Sequence, residues 1–559
     1  MTIAPHRFFW PILLALALLA GRDSQGRGGD LKLDGPVSAS ACPTTSPITV
    51  TVYGAAGRVS GSMSVLRAGP SRWMIDCGAF YPEENDCRPD REEQAARQST
   101  ELPVEPAAIQ GLILTHAHLD HIGRVPLLVA RGFQGPIYLS EATAELAEPM
   151  LQMQVHFDEA RVRTWVWSKS SREKSAESGR SLYVHWQHCP FRQAMSDGNQ
   201  ETAVCSSKEL ASRFATTERP VRPYLCPSCA KEEVAAIRRL FHPLAYGQAK
   251  QIAPGVLLTL LDAGHIPGSA SVLVDVTTPT GKRRLLFSGD LGNDLSALFA
   301  GPTPGPDADA VFVETTYGVT RRAAELRAER AAFRQAVAAV VRAEGVVWIP
   351  AFALDRTQKI LYELHIAQRD GLLPTRLPIY CPSPTALTIT ELYRQHQRDG
   401  WFRREAAEDS LAWQPNEIRK TVPSHLPRPS ILISPSNMTT AAWSERQLAN
   451  LLPQPSTAVF LVGYQDPFGE GGLLERGRVQ LTVRGQTLPV RAQVRSFHGF
   501  SGHGDAADID RWLSRVHRGA TIVLVHGGPE ALQNRSEQLK AHGWSRVLVA
   551  RPNEAIPVP

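Results

Sequence analysis

The chain has 559 residues, 43% hydrophobic, 7% aromatic and 21% charged, which excludes a mainly disordered, collagen-like or coiled-coil protein. That length accommodates about three to five domain-sized units, or fewer large ones. Sixty Lys and Arg against 55 Asp and Glu leave a net charge of +5, too mild to prove or repel a nucleic-acid partner, and eight Cys in so long a chain are no disulfide scaffold.

His6 and Arg7 precede an apolar run from Phe8 to Ala20, and Gly21 follows. A basic start, a short apolar core and small residues near its end describe a signal-like segment over 1–21. The run is about 13 residues, short of the ~20 a spanning helix needs, so no spanning membrane segment is expected in the mature chain. Export to a periplasmic compartment is slightly favoured, with a cytoplasmic protein as the alternative. Residues 22–46, rich in Gly, Ser, Pro and Asp, read as a linker.

From residue 48 the pattern turns to β. Strands are expected at Thr49–Tyr53, Ser64–Leu66, Trp73–Asp76 and Gly111–Thr115, the last running straight into His116. Leu127–Arg131 reads as helix, Pro136–Leu139 as strand and Glu141–Leu151 as helix. Residues 155–248 are polar, rich in Lys, Arg and Ser, and read as an insertion. Strands resume at Val256–Leu261, Ser271–Val276 and Arg284–Ser288. Arg321–Gly345 is an Ala/Arg/Glu-rich helix, followed by a buried-type strand at Val346–Ile349 and a helix at Thr357–Arg369. Further strands are expected at Leu377–Tyr380, Ile431–Ile433, Ala458–Val462 and Thr521–Val525. Such strand–helix repetition predicts a parallel sheet.

The most informative stretch is Thr115-His116-Ala117-His118-Leu119-Asp120-His121. Three imidazoles and a carboxylate within six residues, at the end of an apolar strand, are costly as packing, since each buried polar atom needs a partner. Imidazole with carboxylate suits zinc or a related transition metal. The same strand-end placement recurs in Asp262-Ala263-Gly264-His265-Ile266-Pro267-Gly268-Ser269, in Ser288-Gly289-Asp290-Leu291-Gly292-Asn293 and in Val525-His526-Gly527.

This ordered series resembles the metallo-β-lactamase fold. Glu314-Thr315-Thr316-Tyr317-Gly318, Phe500-Ser501-Gly502-His503-Gly504-Asp505 and Val525-His526-Gly527 resemble the extra motifs of its β-CASP branch of RNA-processing nucleases. The run from Ile349 to Ala353, with Arg356-Thr357-Gln358, and Gly463-Tyr464-Gln465 are also similar to that branch. The resemblance implies an α/β fold, an αββα sandwich carrying an inserted α/β β-CASP domain. The metallo-β-lactamase domain would occupy 47–317, with the Cys-containing insertion at 155–248, and return at 481–559. The β-CASP domain would occupy 318–480.

By the same resemblance His116, His118 and His265 would hold one zinc ion, Asp120, His121 and His526 a second, and Asp290 would bridge them. Two metals about 3.5–4 Å apart lower the pKa of a bridging water, whose hydroxide would attack, and clamp both oxygens of an in-line phosphoryl displacement. His503 is the candidate general acid for the leaving 3′-oxygen. Glu314 would orient it, and Asp76 would orient a ligand His. His526, as the third motif of the branch, implies RNA rather than DNA as substrate. Arg321, Arg322 and Arg356 would contact its backbone. Three places depart from the family: Ser434–Ala441, the residues after Gln465, and Asp355, which stands where Gly is usual.

Cys189, Cys205, Cys226 and Cys229 all fall in the insertion. They suit a third, structural zinc, disulfides or unlinked thiols, the C-x-x-C pair at 226–229 pointing to metal. Cys42, Cys77, Cys87 and Cys381 suggest no shared site. The expectation is therefore a zinc-dependent ribonuclease, exo- or endonucleolytic, with a homodimer left open. A hydrolase of a small ester, lactone or thioester, and a non-catalytic RNA-binding scaffold, are the alternatives.

Overall fold

The computed structural model describes residues 47–81, 91–154, 227–320, 323–409, 418–435, 442–465, 469–483 and 486–559. The signal-like segment, the linker, Cys189, Cys205 and Cys226 lie outside them, as do Arg321 and Arg322. Among the described residues no helix is long and apolar enough to cross a membrane.

Two seven-stranded sheets form the first body. In spatial order, one runs Glu554–Pro557, Thr49–Gly54, Met63–Ala68, Ser71–Ile75, Gly111–Ile113, Ile137–Leu139, Phe241–Pro243. The other runs Arg546–Val549, Thr521–Val525, Ala310–Glu314, Gly281–Phe287, Ala270–Thr278, Val256–Asp262, Lys250–Ala253. Alternation decides their inner faces: Val50 and Val52 are buried while Thr49 and Thr51 are half-buried. Val50, Val52, Leu66, Trp73 and Ile113 of one sheet share a cluster with Leu258, Val272, Val274, Phe287 and Phe312 of the other. Each such side chain, fully buried, contributes about 1.5–3 kcal/mol. Helices cover the outer faces: Leu128, Leu146 and Leu151 on the first, and Ile509, Trp512, Leu532 and Leu539 on the second. The layering is the expected αββα.

A third sheet has six strands in the order Ile418–Arg419, Ile379–Tyr380, Ser430–Pro435, Val346–Ala351, Thr457–Leu461, Gln493–Ser496. All its pairings are parallel. Both faces must therefore be covered, and Val346–Ala351 is buried at every position. Val347, Ile349 and Ala351 pack with Phe333 and Leu361 of the helices Ala323–Arg342 and Arg356–Arg369. Val346 and Trp348 face the opposite cluster with Leu448 and Leu451.

Three boundaries differ from the sequence pattern. The strand before His116 ends at Ile113, because the Thr115 N–H donates to Asp76 Oδ1 at 2.8 Å instead of to a neighbouring strand. The polar stretch ending at 248 contains Phe241–Pro243, which pairs with Ile137–Leu139 as an edge strand. The last strand of the third sheet, Gln493–Ser496, lies beyond residue 480.

Candidate metal centre and active site

The strands Gly281–Phe287, Ala310–Glu314 and Thr521–Val525 pair in parallel, so Asp290, Glu314 and His526 emerge at one end of the sheet. His265 follows the end of Val256–Asp262, and His116 to His121 follow the end of Gly111–Ile113 in the opposing sheet. Gly289, at φ 57°, makes the tight turn that delivers Asp290. Gly78 lets the backbone of Asp120 approach: a Cβ there would sit 1.5 Å from the Asp120 carbonyl oxygen. Asp76 and His526 also take left-handed backbone, at φ 60° and 50°, a conformation that costs a non-glycine residue and clusters at functional sites.

Ring nitrogens converge in two groups. His116 Nε2 lies 3.0 Å from His118 Nδ1, which lies 3.2 Å from His265 Nε2. Asp290 Oδ2 is 3.5 Å from His116 Nε2 and 3.7 Å from His265 Nε2. In the second group His121 Nε2 is 3.3 Å from His526 Nε2. Asp120 Oδ2 is 3.6 Å from His526 Nε2, and Asp290 Oδ1 is 3.2 and 3.5 Å from His121 and His526 Nε2. Asp290 thus presents one oxygen to each group.

These distances fit metal binding. A tetrahedral ion with metal–nitrogen bonds of about 2.0–2.1 Å has ligand–ligand edges near 3.3 Å. Three imidazole nitrogens facing one another cannot all be satisfied by shared protons. Asp290 Oδ1 is buried without a hydrogen bond. A cation between these groups would satisfy all of them, and the His/Asp cluster is able to hold metal.

Each group is oriented from behind. Asp76 Oδ2 lies 2.7 Å from His121 Nδ1, and the same carboxylate accepts from both the N–H and the hydroxyl of Thr115, each at 2.8 Å. Thr316 Oγ1 lies 3.0 Å from His526 Nδ1. His503 Nδ1 is 3.0 and 3.2 Å from the two oxygens of Glu314. Those oxygens also accept from the N–H groups of Leu291 at 2.8 Å and Thr316 at 3.2 Å. His503 Nε2 faces Asp290 Oδ2 at 3.9 Å.

Burial and charge divide the imidazoles. Desolvation, reinforced by His121, holds His116 well below the ordinary value. Desolvation also lowers His118, and with the neighbouring His503 it holds His265 well below. Burial would lower His121 and His526 too, but the Asp290 carboxylate and further partners, Asp76 for one and Asp120 for the other, outweigh it and raise both. Burial opposes ionisation of Asp290, yet the imidazoles of His526, His121 and His116 hold it well below the usual carboxylate range.

The structure therefore brings together His116, His118, Asp120, His121, His265, Asp290 and His526, and places Asp76, Glu314 and His503 around them. Four contributors carry no role in the motif reading. Thr115 and Thr316 sit inside the quoted motifs, but only the fold shows which ring each reaches. Asn293 Nδ2 donates to the carbonyls of Ser501 and His503, each at 3.3 Å, and holds that loop. Ser62 Oγ lies 3.3 Å from His121 Nε2 with no flanking signal in the sequence. Asp355 begins the helix Arg356–Arg369 without a side-chain cap. Its carboxylate pairs with Lys359 at 2.5 Å and accepts from the Tyr393 hydroxyl at 3.2 Å. Arg356 donates to the Val462 carbonyl. Cys77 and Cys381 are both buried. Cys229 falls in the helix Pro227–Arg238, and its three partner cysteines lie outside the described residues.

Three family models match in chain order. The metallo-beta-lactamase superfamily covers residues 56–333, the Beta-Casp domain 357–471, and the Zn-dependent metallo-hydrolase RNA specificity domain 487–549. Ribonuclease TTHA0252 of Thermus thermophilus is 29% identical over 521 residues, 91% of this chain and 100% of that protein. The transcription termination factor FttA of Methanocaldococcus jannaschii is 25% identical, over 86% of this chain and 67% of its own length. An RNase J-like protein of the same organism is 23% identical, over 86% and 92%.

Proposed function

Because the chain belongs to the β-CASP family of metallo-β-lactamase-fold hydrolases, we propose that it hydrolyses RNA phosphodiesters with two zinc ions and His503 as the general acid. One observation carries the reading. His503 stands beside the two groups assigned to metal, is held by the buried Glu314 carboxylate at Nδ1 and faces the shared Asp290 through Nε2. Hydrolysis of a small ester requires no such group. The similarity to a ribonuclease and to an RNase J-like protein supports RNA as the substrate.

His116, His118 and His265 would hold one ion, Asp120, His121 and His526 the other, and Asp290 both. When bound, such a pair lowers the pKa of a water between the ions and neutralises charge on the phosphodiester. The protein supplies the rest. Asp76 and Thr316 fix the rings of His121 and His526, so their Nε2 lone pairs point into the site. Glu314 accepts the Nδ1 proton of His503, which leaves the Nε2 proton for the 3′-oxygen as the P–O bond breaks. Once that proton is given, water resupplies it at the exposed part of the ring, whose side chain is 19% accessible.

The test is a cleavage panel. Purified protein loaded with zinc is incubated with labelled single-stranded RNA, DNA of the same sequence, and lactam and thioester substrates, with and without chelator. Chelator-sensitive cleavage of RNA, giving 3′-hydroxyl ends, is the expected result. Turnover of the small esters alone would overturn the proposal.

A further inference from the structure

The loop 497–504 carries His503 from the third sheet to the metal centre. It begins where the strand Gln493–Ser496 ends, with the Phe497 N–H donating to the Leu461 carbonyl at 2.8 Å. It closes beside Asp290, where the Gly504 N–H donates to the Leu291 carbonyl at 2.7 Å.

The helix Ala323–Arg342, which packs on the third sheet, grips the first half of that loop. Glu329 accepts from the His498 N–H at 3.0 Å, and Arg330 donates through Nη1 to the Gly499 carbonyl at 3.2 Å. One turn on, the Phe333 ring meets those of Phe497 and Phe500, with centroids 5.4 and 5.0 Å away. The approach is close: a Cβ on Gly499 would lie 2.8 Å from both Glu329 Cβ and the Leu326 carbonyl oxygen. Helix and loop are thus matched residue by residue.

Arg330 reaches two further segments. Its Nη2 donates to the Leu295 carbonyl at 2.8 Å, in the stretch that follows Asp290 and Asn293. Its Nε faces Glu363 Oε1 at 3.2 Å, on the helix Arg356–Arg369. Glu363 is buried and also pairs with Arg334, so the guanidinium charge is answered inside the fold. A guanidinium is a planar fork whose nitrogens reach separate partners at fixed angles, which the single ammonium of a lysine does not do. Here its three nitrogens hold the His503 loop, the Asp290 loop and a second helix in one geometry. Asn293 ties the same two loops together from the side of the metal centre.

We propose that Arg330 is a positioning residue for His503: it fixes the proton donor against the Asp290 loop, so that the third sheet and its helices set the geometry of proton transfer. The inference rests on the ribonuclease reading and deepens it. In that reaction the P–O bond breaks with its electron pair going to the 3′-oxygen, which takes the Nε2 proton of His503. A donor misplaced by about 1 Å costs on the order of 100-fold in rate.

The test is a change of leaving group. Zinc-loaded protein is given a labelled single-stranded RNA, and the same RNA with sulfur in place of the bridging 3′-oxygen at the linkage it cuts. A thiolate, whose conjugate acid has a pKa of about 8.5 in cysteine, departs with the electron pair and needs no proton. Single-turnover rates on the two give an oxygen-to-sulfur ratio, from which the fraction of folded, metal-loaded enzyme cancels. His503→Ala should lower that ratio by about 100- to 10,000-fold. Arg330→Met keeps an unbranched stem, loses the fork and should lower it by about 10- to 100-fold. Gly499→Ala keeps the guanidinium, pushes the loop off the helix and should lower it as well. A wild-type ratio in Arg330→Met, or in Gly499→Ala if Arg330→Met yields no folded protein, overturns the positioning role when the His503→Ala ratio has fallen. A wild-type ratio in His503→Ala removes the general acid first and this inference with it. A wild type that cuts neither RNA removes the ribonuclease reading, so the three failures are told apart.

Discussion

The two carboxylate oxygens of Glu314 lie 3.0 and 3.2 Å from Nδ1 of His503, although 189 positions separate the residues in the chain. The carboxylate is buried and also accepts two backbone N–H groups, so it cannot turn away to water. His503→Ala should lower kcat on RNA by about 100- to 10,000-fold, the usual contribution of a general acid, with both metals retained. Glu314→Gln should cost about 10- to 100-fold, because its amide would face backbone donors. Metal content by mass spectrometry alongside single-turnover rates checks both. Metal loss in His503→Ala would reassign that residue as a ligand.

Asp76 acts on the other side of the centre. It fixes His121 through Nδ1 and caps Thr115 twice. Asparagine tolerates the left-handed backbone at this position, so Asp76→Asn should fold. It should weaken metal binding by about 10- to 100-fold, as loss of a carboxylate behind a ligand histidine does. Competition with a chromophoric chelator measures this. An unchanged affinity would make Asp76 a structural residue only.

Gly502 packs against the His265 ring. A Cβ added there would lie 2.8 Å from His265 Cε1 and 3.0 Å from Nδ1, closer than such atoms sit. Gly502→Ala should therefore displace His265 and reduce zinc content toward one ion per chain. Protein that retains two ions with full activity would show that the ring can shift without leaving its place.

Asp262 gives a pH signature. Burial raises its carboxyl to about 6, against the Gly264 N–H that favours ionisation. The folded state then binds this proton more tightly than the unfolded state, so its contribution to stability is present below about pH 4 and is lost as pH rises through 6. Asp262→Asn keeps an acceptor for Gly264 and carries no charge. It should match the wild type at pH 4 and exceed it by up to about 3 kcal/mol at pH 7.5. Urea denaturation at the two pH values checks the difference, and equal stability at both would contradict it.

Much of the centre was legible in the chain. His116 to His121 are neighbours because a strand end can aim closely spaced side chains at one point, and that is a local property. The αββα layering was implied by the family resemblance that the motifs carry, and not by residue patterning alone. Thr115 and Thr316 were visible only as motif letters, since a hydroxyl's partner is decided by geometry. Ser62 was not visible at all: nothing around it differs from an ordinary loop. The edge strand Phe241–Pro243 was hidden in a polar stretch because an edge position needs little apolar patterning. Cys189, Cys205 and Cys226 of the insertion, and Arg321 and Arg322, fall outside the described residues.

Residue types and local spacing determined by themselves that this chain carries imidazole and carboxylate groups at strand ends, and so could bind metal and hydrolyse. Which of them meet was decided only by the tertiary structure. His121 and His526 stand 405 positions apart, yet their Nε2 atoms lie 3.3 Å from each other. The return segment brings them together by adding Thr521–Val525 to one sheet and Glu554–Pro557 to the other. The reason is physical. A motif specifies what a few adjacent residues can reach, whereas burying two sheet faces against each other specifies which distant strand ends must coincide.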